Sequence, residues 1–522
     1  MNARTVAIIF TAAIASLLEI IDSSIVNVAI PTMMGNLGAT LDEISWVTTA
    51  YMIANSIVLP IAAWLGTRLG RRKYFTTAIL IFTIASFACG MAPNLFFLVV
   101  FRIIQGLAGG ALLPTSQTLI QEQFPREKAG MAMAIFGMSV MVGPALGPTL
   151  GGYLTDNFGW RSIFNVNVPL GMLASVMSWM NVQDASYQQV HAADGKRHGV
   201  DWWGLFFLCV GVGCFQYVLE RGEADGWWDS NAIKACAVFA VAGISTFIWW
   251  ELSIPNPIMN LRLFKNAIVR SGTALMLMLG IMLYSLTFVV PIFVSRVIHE
   301  MSATQTGELF IPGSVATAVF MLPVGMMLKK ISPKVLVLVG ITLGEISILL
   351  MSRFTSQTGA HDIYLPLIFR GVAMAFLFVP INQMVLGAFR GEELGQVAGM
   401  QNFFRQIGGS IGISSLDTLL TRFGAQHYND LLEKVNIFNV SVIQAANQAR
   451  SLPVSRMSGQ IGLWNAEQIA TKTIAGRVGQ QVFILSFEQI CWVIMIIVAC
   501  GLIPLAMIKA PKKIDGPIID AH

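Results

Sequence analysis

The sequence has few charged residues. Only 12% of its 522 residues are Asp, Glu, Lys or Arg, whereas a soluble domain carries about 25%. Hydrophobic residues make up 55% and the mean hydropathy is +0.68. Apolar runs of about 20 residues recur almost from end to end, which no soluble core would need. The composition therefore excludes a soluble protein and predicts an all-α integral membrane protein.

Several kinds of functional site are also missing from the sequence. The six cysteines form no CxxC pair and have no His cluster nearby, which argues against disulfides and a metal site. No G-x-x-x-x-G-K-[ST] loop occurs, and no nucleophile and base pair stands out. The net charge of +5 is modest and lies in short loops, so it does not indicate nucleic-acid binding. We therefore expect neither an enzyme nor an ATP-driven pump, and no cofactor.

About fourteen segments are long and apolar enough to cross a bilayer as helices. Their approximate bounds are 5–30, 44–65, 74–92, 95–115, 129–153, 163–181, 200–219, 232–251, 268–292, 307–328, 334–352, 363–386, 396–420 and 483–508. The last two are separated by a long polar segment, residues 421–481. This segment is expected to be a solvated hairpin or a docking surface for another protein, and stretches of it could form amphipathic helices.

Lys and Arg residues are concentrated in alternate loops. They gather at Arg68, Arg71, Arg72, Lys73, Arg126, Lys128, Lys196, Arg197, Arg262, Lys265, Lys329, Lys330, Lys334, Lys509, Lys512 and Lys513. The intervening loop that holds Asp42 and Glu43 has none. The positive-inside rule therefore predicts that both termini are cytoplasmic.

The chain contains an internal repeat. QGLAGGALLPTSQ, from Gln105, and RGVAMAFLFVPINQ, from Arg370, share a glycine, a small-residue stretch, a proline and a glutamine three residues later. The spans that follow both open with Ala-Gly-Met. Two related halves are typical of transporters that rock around a central site. The predicted organisation is a six-helix half at 1–181, two linker spans within 182–267 and a second six-helix half at 268–522.

Four stretches resemble motifs of the major facilitator superfamily. AWLGTRLGRRK, at 63–73, resembles its cytoplasmic loop signature, and FRIIQGLAGG, from Phe101, resembles its fourth-helix arginine motif. GMSVMVGPALGPTLGG, from Gly137, is similar to the fifth-helix antiporter motif of drug:proton exporters. IIDSSIVNVAIP, from Ile20, resembles the first-helix motif of the fourteen-span branch, the EmrB/QacA type, and the polar segment from Thr421 is similar to that branch too.

The resemblance implies a major facilitator fold of about 14 transmembrane helices, with two six-helix halves plus two linker helices. It implies proton-driven efflux of hydrophobic or cationic toxic compounds across a bacterial inner membrane. It also implies a tripartite system with a periplasmic membrane-fusion adaptor (EmrA-like) and an outer-membrane channel (TolC-like). The alternatives are a same-fold exporter of a dedicated natural substrate, such as a fatty acid, bile salt or siderophore, and a non-transporting membrane sensor.

Three charged residues within the spans are candidates for proton coupling. Glu19 and Asp22 are three residues apart, so they share a helix face. Arg102 lies too deep to reach water and needs an anion or carbonyl partners. We expect one of the two acids to be that partner and rank Asp22, which belongs to the family motif, ahead of Glu19 for coupling. The alternative is a buried ion pair that only fixes helix packing.

Two motifs are expected to control conformation. The antiporter motif contains Gly143, Pro144, Gly147, Pro148, Gly151 and Gly152. Glycines four apart allow close helix contact and proline bends a helix, so we expect this span to be bent and to help seal one side of the pore. The loop signature keeps Arg68, Gly70 and Arg71. Ala63 and Thr67 replace its usual glycine and acid, which predicts that the loop does not gate by the usual charge contact.

A central cavity should be lined by further polar residues. The candidates are Asn27, Gln105, Gln117, Arg370, Arg405 and Asp417. Arg370 occupies the position that Gln105 holds in the first half of the repeat, so it should face the cavity. Arg405 and Asp417 lie on one span and are expected to face the same cleft.

Overall fold

The computed structural model describes residues 3–125, 128–184, 201–255, 257–298, 301, 303–434 and 463–508. These residues form helices and short connections, with no strand among them. The helices are α1 (Ala3–Leu37), α2 (Leu41–Ile44), α3 (Trp46–Val58), α4 (Ala62–Leu69), α5 (Arg71–Gly90), α6 (Leu95–Gly109), α7 (Leu112–Glu122), α8 (Ala129–Phe158), α9 (Ser162–Asn165), α10 (Asn167–Asn181), α11 (Trp202–Arg221), α12 (Asn231–Ser253), α13 (Ala267–Val297), α14 (Ala303–Glu308), α15 (Ile311–Met327), α16 (Pro333–Met351), α17 (Ala360–Leu386), α18 (Gly391–Lys434), α19 (Leu463–Cys500) and α20 (Leu502–Met507).

The number of membrane-length segments agrees with the expected fold. Twelve segments of the described chain are long and apolar enough to span a membrane, and the bent α8 makes a thirteenth. The long helix α18 is more polar, yet it packs along α13 inside the bundle. With α18 included, the total matches the predicted count of about fourteen.

Several predicted spans are interrupted. The predicted span 95–115 is broken between α6 and α7 at Gly110 and Ala111, and the second helical segment continues to Glu122. The predicted span 44–65 is broken by a 3-10 turn, Leu59–Ile61, that contains Pro60. Proline lacks the backbone N–H that would continue the helical ladder. These breaks expose backbone polar groups inside the bundle, where other elements must satisfy them.

The polar segment 421–481 is helical at both ends. α18 continues to Lys434, and α19 begins at Leu463. The helices therefore extend well past the predicted spans, and the expected loop is shorter than residues 421–481. Residues 435–462 lie outside the described residues, as do Arg126, Lys196, Arg197 and the three lysines of the C-terminal tail.

The helices pack in two groups, one early and one late in the chain, and α8 and α15 join the two groups. α1 packs against α7, α8 and α10, and α13 packs against α17, α18 and α19. α8 also contacts α15, where a Cβ built on Gly130 would lie 2.8 Å from the carbonyl oxygen of Gly325. α11 and α12 pack on each other through Gly211 and Gly243, and α11 contacts α3 and α18.

Basic residues of two different turns lie at one end of the bundle, which we call the basic end. Arg71, in the α4–α5 turn region, forms an ion pair with Glu122 at the end of α7. The chain then enters α8, where Gly130 lies against Leu328 at the end of α15. Lys329 and Lys330 follow directly.

Replacing Gly280 with alanine should destabilise the protein. A Cβ at this position would overlap the backbone carbonyl of Arg405, where α13 and α18 are in contact. Overpacking of this kind costs about 1–3 kcal/mol, so the thermal unfolding temperature of the purified protein should fall. The control is Gly424→Ala, because nothing lies within 4 Å of that position. Equal unfolding temperatures for the two variants would contradict the close contact.

Candidate functional site

A buried ion pair joins α1 and α6. Asp22 is fully buried, and Arg102 is 1% exposed. Nη1 of Arg102 donates to Oδ2 of Asp22 at 2.6 Å, and its Nε donates to the carbonyl oxygen of Val47 at 3.0 Å. Oδ1 of Asp22 accepts hydrogen bonds from Gln105 and Asn167, each at 2.8 Å. Both carboxylate oxygens are therefore satisfied, and the cluster ties α1 to α3, α6 and α10.

The structure pairs Arg102 with Asp22, one of the two acids that the sequence offered as a partner. Gln105 belongs to the same cluster, where its Oε1 also accepts from Arg102 at 2.9 Å. Gln105 is fully buried within this cluster, and its place on a cavity wall stays a prediction. Asn167 was missed by the sequence reasoning, although an amide side chain in an apolar span was a signal that could have found it.

Glu19 occupies a different environment from Asp22. It is 4% exposed. Its Oε1 accepts from Nδ2 of Asn55 at 2.9 Å, and its Oε2 accepts from the backbone N–H of Leu113 at 3.1 Å. Leu113 is the second residue of α7, so its N–H has no acceptor within that helix. No Lys or Arg nitrogen among the described residues lies within ion-pair distance of Glu19.

The glycines and prolines of the antiporter motif place α8 directly against α1. The segments Ala129–Pro144 and Leu146–Phe158 are bent by 41°. A Cβ at Gly143 would overlap Ile20, and a Cβ at Gly147 would overlap Ser24. Gly151 lies similarly against Ile25, whereas Gly152 lies against Thr304. Pro148 lies in the second of the two segments. The bend and the close contact agree with what the motif predicts for this helix.

The loop that carries Arg68, Gly70 and Arg71 forms an ion pair with the end of α7. Gly70, with φ of +83°, ends α4 and begins α5, a backbone conformation that favours glycine. Nη1 of Arg71 pairs with Glu122 at 2.5 Å. The guanidinium of Arg68 lies 5.5 Å from the ring centre of Trp64. The side chain of Thr67, at the position of the usual acid, donates to the backbone of Trp64.

Gln117 lies in a buried amide cluster. Its Nε2 donates to Oδ1 of Asn382, and its Oε1 accepts from Nδ2 of Asn402, both at 2.6 Å. The cluster joins α7 to α17 and α18. Gln117 is 1% exposed in this conformation, and its place on a cavity wall stays a prediction. Asn27 is exposed on α1 and has no hydrogen bond to the Asp22 cluster.

The three remaining candidates lie in three places. Arg370 is 8% exposed and lines a cavity between α8, α13, α15 and α17, as the repeat predicted. Arg405 is buried and donates to the hydroxyl of Tyr284 at 3.2 Å. Asp417 lies about 18 Å further along α18 and on another face, near Glu223 in the α11–α12 connection. The structure therefore does not bring Arg405 and Asp417 together, and a shared cleft stays a prediction.

A bundle of membrane-length helices with a buried ion pair and a buried acid that forms no ion pair is typical of a polytopic membrane transporter. The chain belongs to the major facilitator superfamily, whose model matches residues 12–413. The Multidrug export protein EmrB of Escherichia coli (strain K12) is 32% identical over 525 residues, with 100% of this chain and 98% of the relative covered. The Fatty acid resistance protein FarB of Neisseria gonorrhoeae is 32% identical over 434 residues, with 83% and 84% covered.

Solved structures show the same fold at low sequence identity. The proton:xylose symporter XylE bound to 6-bromo-6-deoxy-D-glucose has a TM-score of 0.58 and 13% identity, with 92% of this chain and 96% of that chain covered. The human organic anion transporter MFSD10 has a TM-score of 0.55 and 11% identity, with 94% and 100% covered. Both similarities support the all-α major facilitator fold.

Replacing Arg102 with glutamine should strongly destabilise the protein. The change leaves the Asp22 carboxylate buried without a counter-charge, which costs about 3–5 kcal/mol. The double variant Asp22→Asn, Arg102→Gln removes both charges and should recover much of the loss. The measurement is thermal unfolding of the purified protein followed by tryptophan fluorescence.

Arg353→Gln serves as the control, because Arg353 is exposed. It should unfold at the wild-type temperature, since surface substitutions usually change stability by less than about 0.5 kcal/mol. A double variant no more stable than Arg102→Gln alone would show that charge compensation does not hold these helices together.

Proposed function

We propose that this protein is a proton-driven exporter of hydrophobic or cationic toxic compounds. Its similarity to proteins named for multidrug export supports this function. The observation that carries the proposal is the buried carboxylate of Glu19, which forms no ion pair among the described residues and lies beside the Asp22–Arg102 pair. An intramembrane acid of this kind is functional by default.

Glu19 is better suited than Asp22 to exchange a proton. Protonation of Asp22 would break an ion pair and leave Arg102 buried without a counter-charge. Protonation of Glu19 breaks no ion pair; it weakens the hydrogen bonds from Asn55 and Leu113 and removes the longer-range attraction to Arg405. We therefore reverse the ranking made from the sequence: Glu19 carries the proton, and Asp22 with Arg102 holds the surrounding helices.

Proton exchange at Glu19 can be coupled to helix movement. Its carboxylate accepts the free N–H of Leu113, which lies directly after the α6–α7 break. A neutral carboxyl group is a weaker acceptor for that N–H than a carboxylate. Protonation would therefore loosen the contact between α1 and the start of α7. A cationic substrate near Glu19 would favour the charged form and so compete with the proton.

The proposed transport cycle uses the predicted division of the chain. Residues 1–181 and 268–522 form two halves that rock against each other, and 182–267 supplies the linker spans. The contacts of α8 with α15 and of α7 with α17 and α18 lie between these halves. The bent α8, Arg68, Gly70 and Arg71 would control opening, with the basic end facing the cytoplasm of a bacterial cell.

We further propose that the protein is the inner-membrane pump of a tripartite system. Its partners would be a periplasmic membrane-fusion adaptor and an outer-membrane channel. The helical extensions at the two ends of segment 421–481 support a projecting surface on which an adaptor could dock. α18 begins at Gly391, close to Arg71 at the basic end. A single crossing of α18 therefore puts this surface at the opposite end of the bundle.

A dedicated natural substrate is the second candidate. The relative named for fatty acid resistance supports it. A membrane sensor without transport is less well supported, because a sensor does not require a buried acid that can exchange a proton without breaking an ion pair.

Glu19→Gln should abolish proton-coupled export. In membrane vesicles with an imposed pH gradient, transport of ethidium should fall at least about tenfold relative to wild type, because the amide cannot take up a proton. Asp22→Asn should also reduce transport. Asp229→Asn is the matched control, since Asp229 is an exposed acid on the α11–α12 connection. Wild-type efflux that persists after collapse of the gradient would refute proton coupling, and normal export by Glu19→Gln would refute this residue's role.

Removal of segment 421–481 should abolish crosslinking to a periplasmic adaptor. A second variant that lacks only residues 435–462 keeps the described ends of α18 and α19, which are the proposed docking surface, and should still crosslink. The measurement is chemical crosslinking of the purified protein to an EmrA-like adaptor, with transport of ethidium as a test of folding. Undiminished crosslinking by both variants would exclude this segment from the interface.

A further inference from the structure

A small cavity lies next to the bend of α8. Its volume is about 30 Å³, and it separates α8 from α13, α15 and α17. Met141 and Pro144 form its α8 side, whereas Leu283 and Met374 lie on the other side. Arg370 is the one charged side chain that lines it. A cation therefore faces an otherwise largely apolar space between the two proposed halves.

Arg370 is buried without a counter-charge. It is 8% exposed, and no carboxylate among the described residues lies within ion-pair distance of it. Its Nη2 donates to the carbonyl oxygen of Leu283 at 3.2 Å and to the hydroxyl of Thr287 at 2.5 Å. Its Nε and Nη1 donate to no protein atom of the described chain, and neither atom is fully enclosed. Three of its five N–H groups thus remain for another acceptor.

Arg370 differs in this respect from Arg102, the buried arginine of the first half. Arg102 is buried even more completely, but it has the Asp22 carboxylate at 2.6 Å. Arg405, on the neighbouring α18, also lacks a carboxylate within ion-pair distance. The charge of Glu19 nevertheless acts on Arg405, whereas no carboxylate of the described chain acts on Arg370. The surroundings of Arg370 are therefore attractive to an anion.

We propose that Arg370 binds the anionic head group of an amphipathic substrate, namely a single carboxylate on an apolar body. This inference rests on the proposed export function and assigns Arg370 as the residue that recognises the acid group of such substrates. A guanidinium with free N–H groups can hold a carboxylate through two parallel hydrogen bonds. Met141, Met374 and Phe310 lie where the apolar body would begin, and methionine adapts to ligands of different shape.

Binding requires movement of α8. The cavity has room for one or two water molecules as it stands, which is less than an amphipathic molecule needs. Pro144 lies both at the bend of α8 and on the cavity wall. Separation of α8 from α15 and α17 would therefore widen this cavity first around Arg370. The head group would then replace water at Nε and Nη1.

Binding of three ligands with the same chain length tests this site. Purified full-length protein in detergent is titrated, without a pH gradient, with dodecanoate, 1-dodecanol and dodecyltrimethylammonium. Wild type should bind dodecanoate more tightly than dodecanol. Arg370→Gln should raise the Kd for dodecanoate about tenfold or more, the loss expected for hydrogen bonds to a charged group, and should leave the Kd for dodecyltrimethylammonium within about twofold. Arg353→Gln, an exposed arginine, should bind all three ligands like wild type.

Three results would overturn the proposal. They are wild-type protein that does not prefer dodecanoate to dodecanol, Arg370→Gln that binds dodecanoate with wild-type affinity, and Arg370→Gln that loses all three ligands equally. If Arg370→Gln does not fold, dodecanoate binding by Arg370→Lys tests the site instead. Lysine keeps the charge but not the planar fork, so it should weaken dodecanoate binding several-fold and leave the ammonium compound unaffected; unchanged dodecanoate binding would refute the site. The binding titration applies no pH gradient, so its result does not depend on proton coupling. The Arg370 site can therefore be refuted while ethidium export is confirmed, and it can be confirmed while proton coupling is refuted.

Discussion

The ion pair between Asp22 and Arg102 is the interaction on which the central architecture depends. Two opposite charges buried in a membrane-spanning bundle are least costly when they compensate each other and when their remaining hydrogen-bonding groups find partners. Here Gln105, Asn167 and the carbonyl of Val47 complete that set. The residues of the whole cluster come from four different helices, so the ion pair fixes the position of α1 relative to α3, α6 and α10.

A fixed α1 allows the other central contacts to form. Glycines of α8 approach α1 closely enough to exclude a side chain, and small residues in such interfaces permit this close backbone packing. On another side of α1, the break between α6 and α7 directs a free backbone N–H to Glu19. The same helix therefore carries one acid that is held by a cation and another that is held only by neutral donors. This difference in partners, rather than a difference in burial, assigns separate roles to the two acids.

Charge is distributed unevenly across the centre of the bundle. Glu19 on α1 forms no ion pair, but the charge of Arg405 on α18 acts on it. Arg370 on α17 has no carboxylate of the described chain acting on it. Such an arrangement can attract amphipathic molecules of either sign to different walls of one opening. Neutralising the charge of Glu19 by a proton, or that of Arg370 by a substrate, would change the interactions that hold α1 or α17 in place.

Much of the fold could be predicted from the sequence, because hydropathy over about 20 residues and the spacing of glycine and proline act locally along the chain. These signals indicated the number of spans, the family, the bend of α8 and the pairing of Arg102 with an acid of α1. Tertiary structure alone decided which acid that is, because Glu19 and Asp22 share a helix face and only the positions of α6 and α7 separate their partners. It also placed Gln105 and Gln117 in closed polar clusters and Asp417 far from Arg405. A polar residue in an apolar span must find a partner, but its sequence position does not specify whether that partner is another helix or a water-filled cavity.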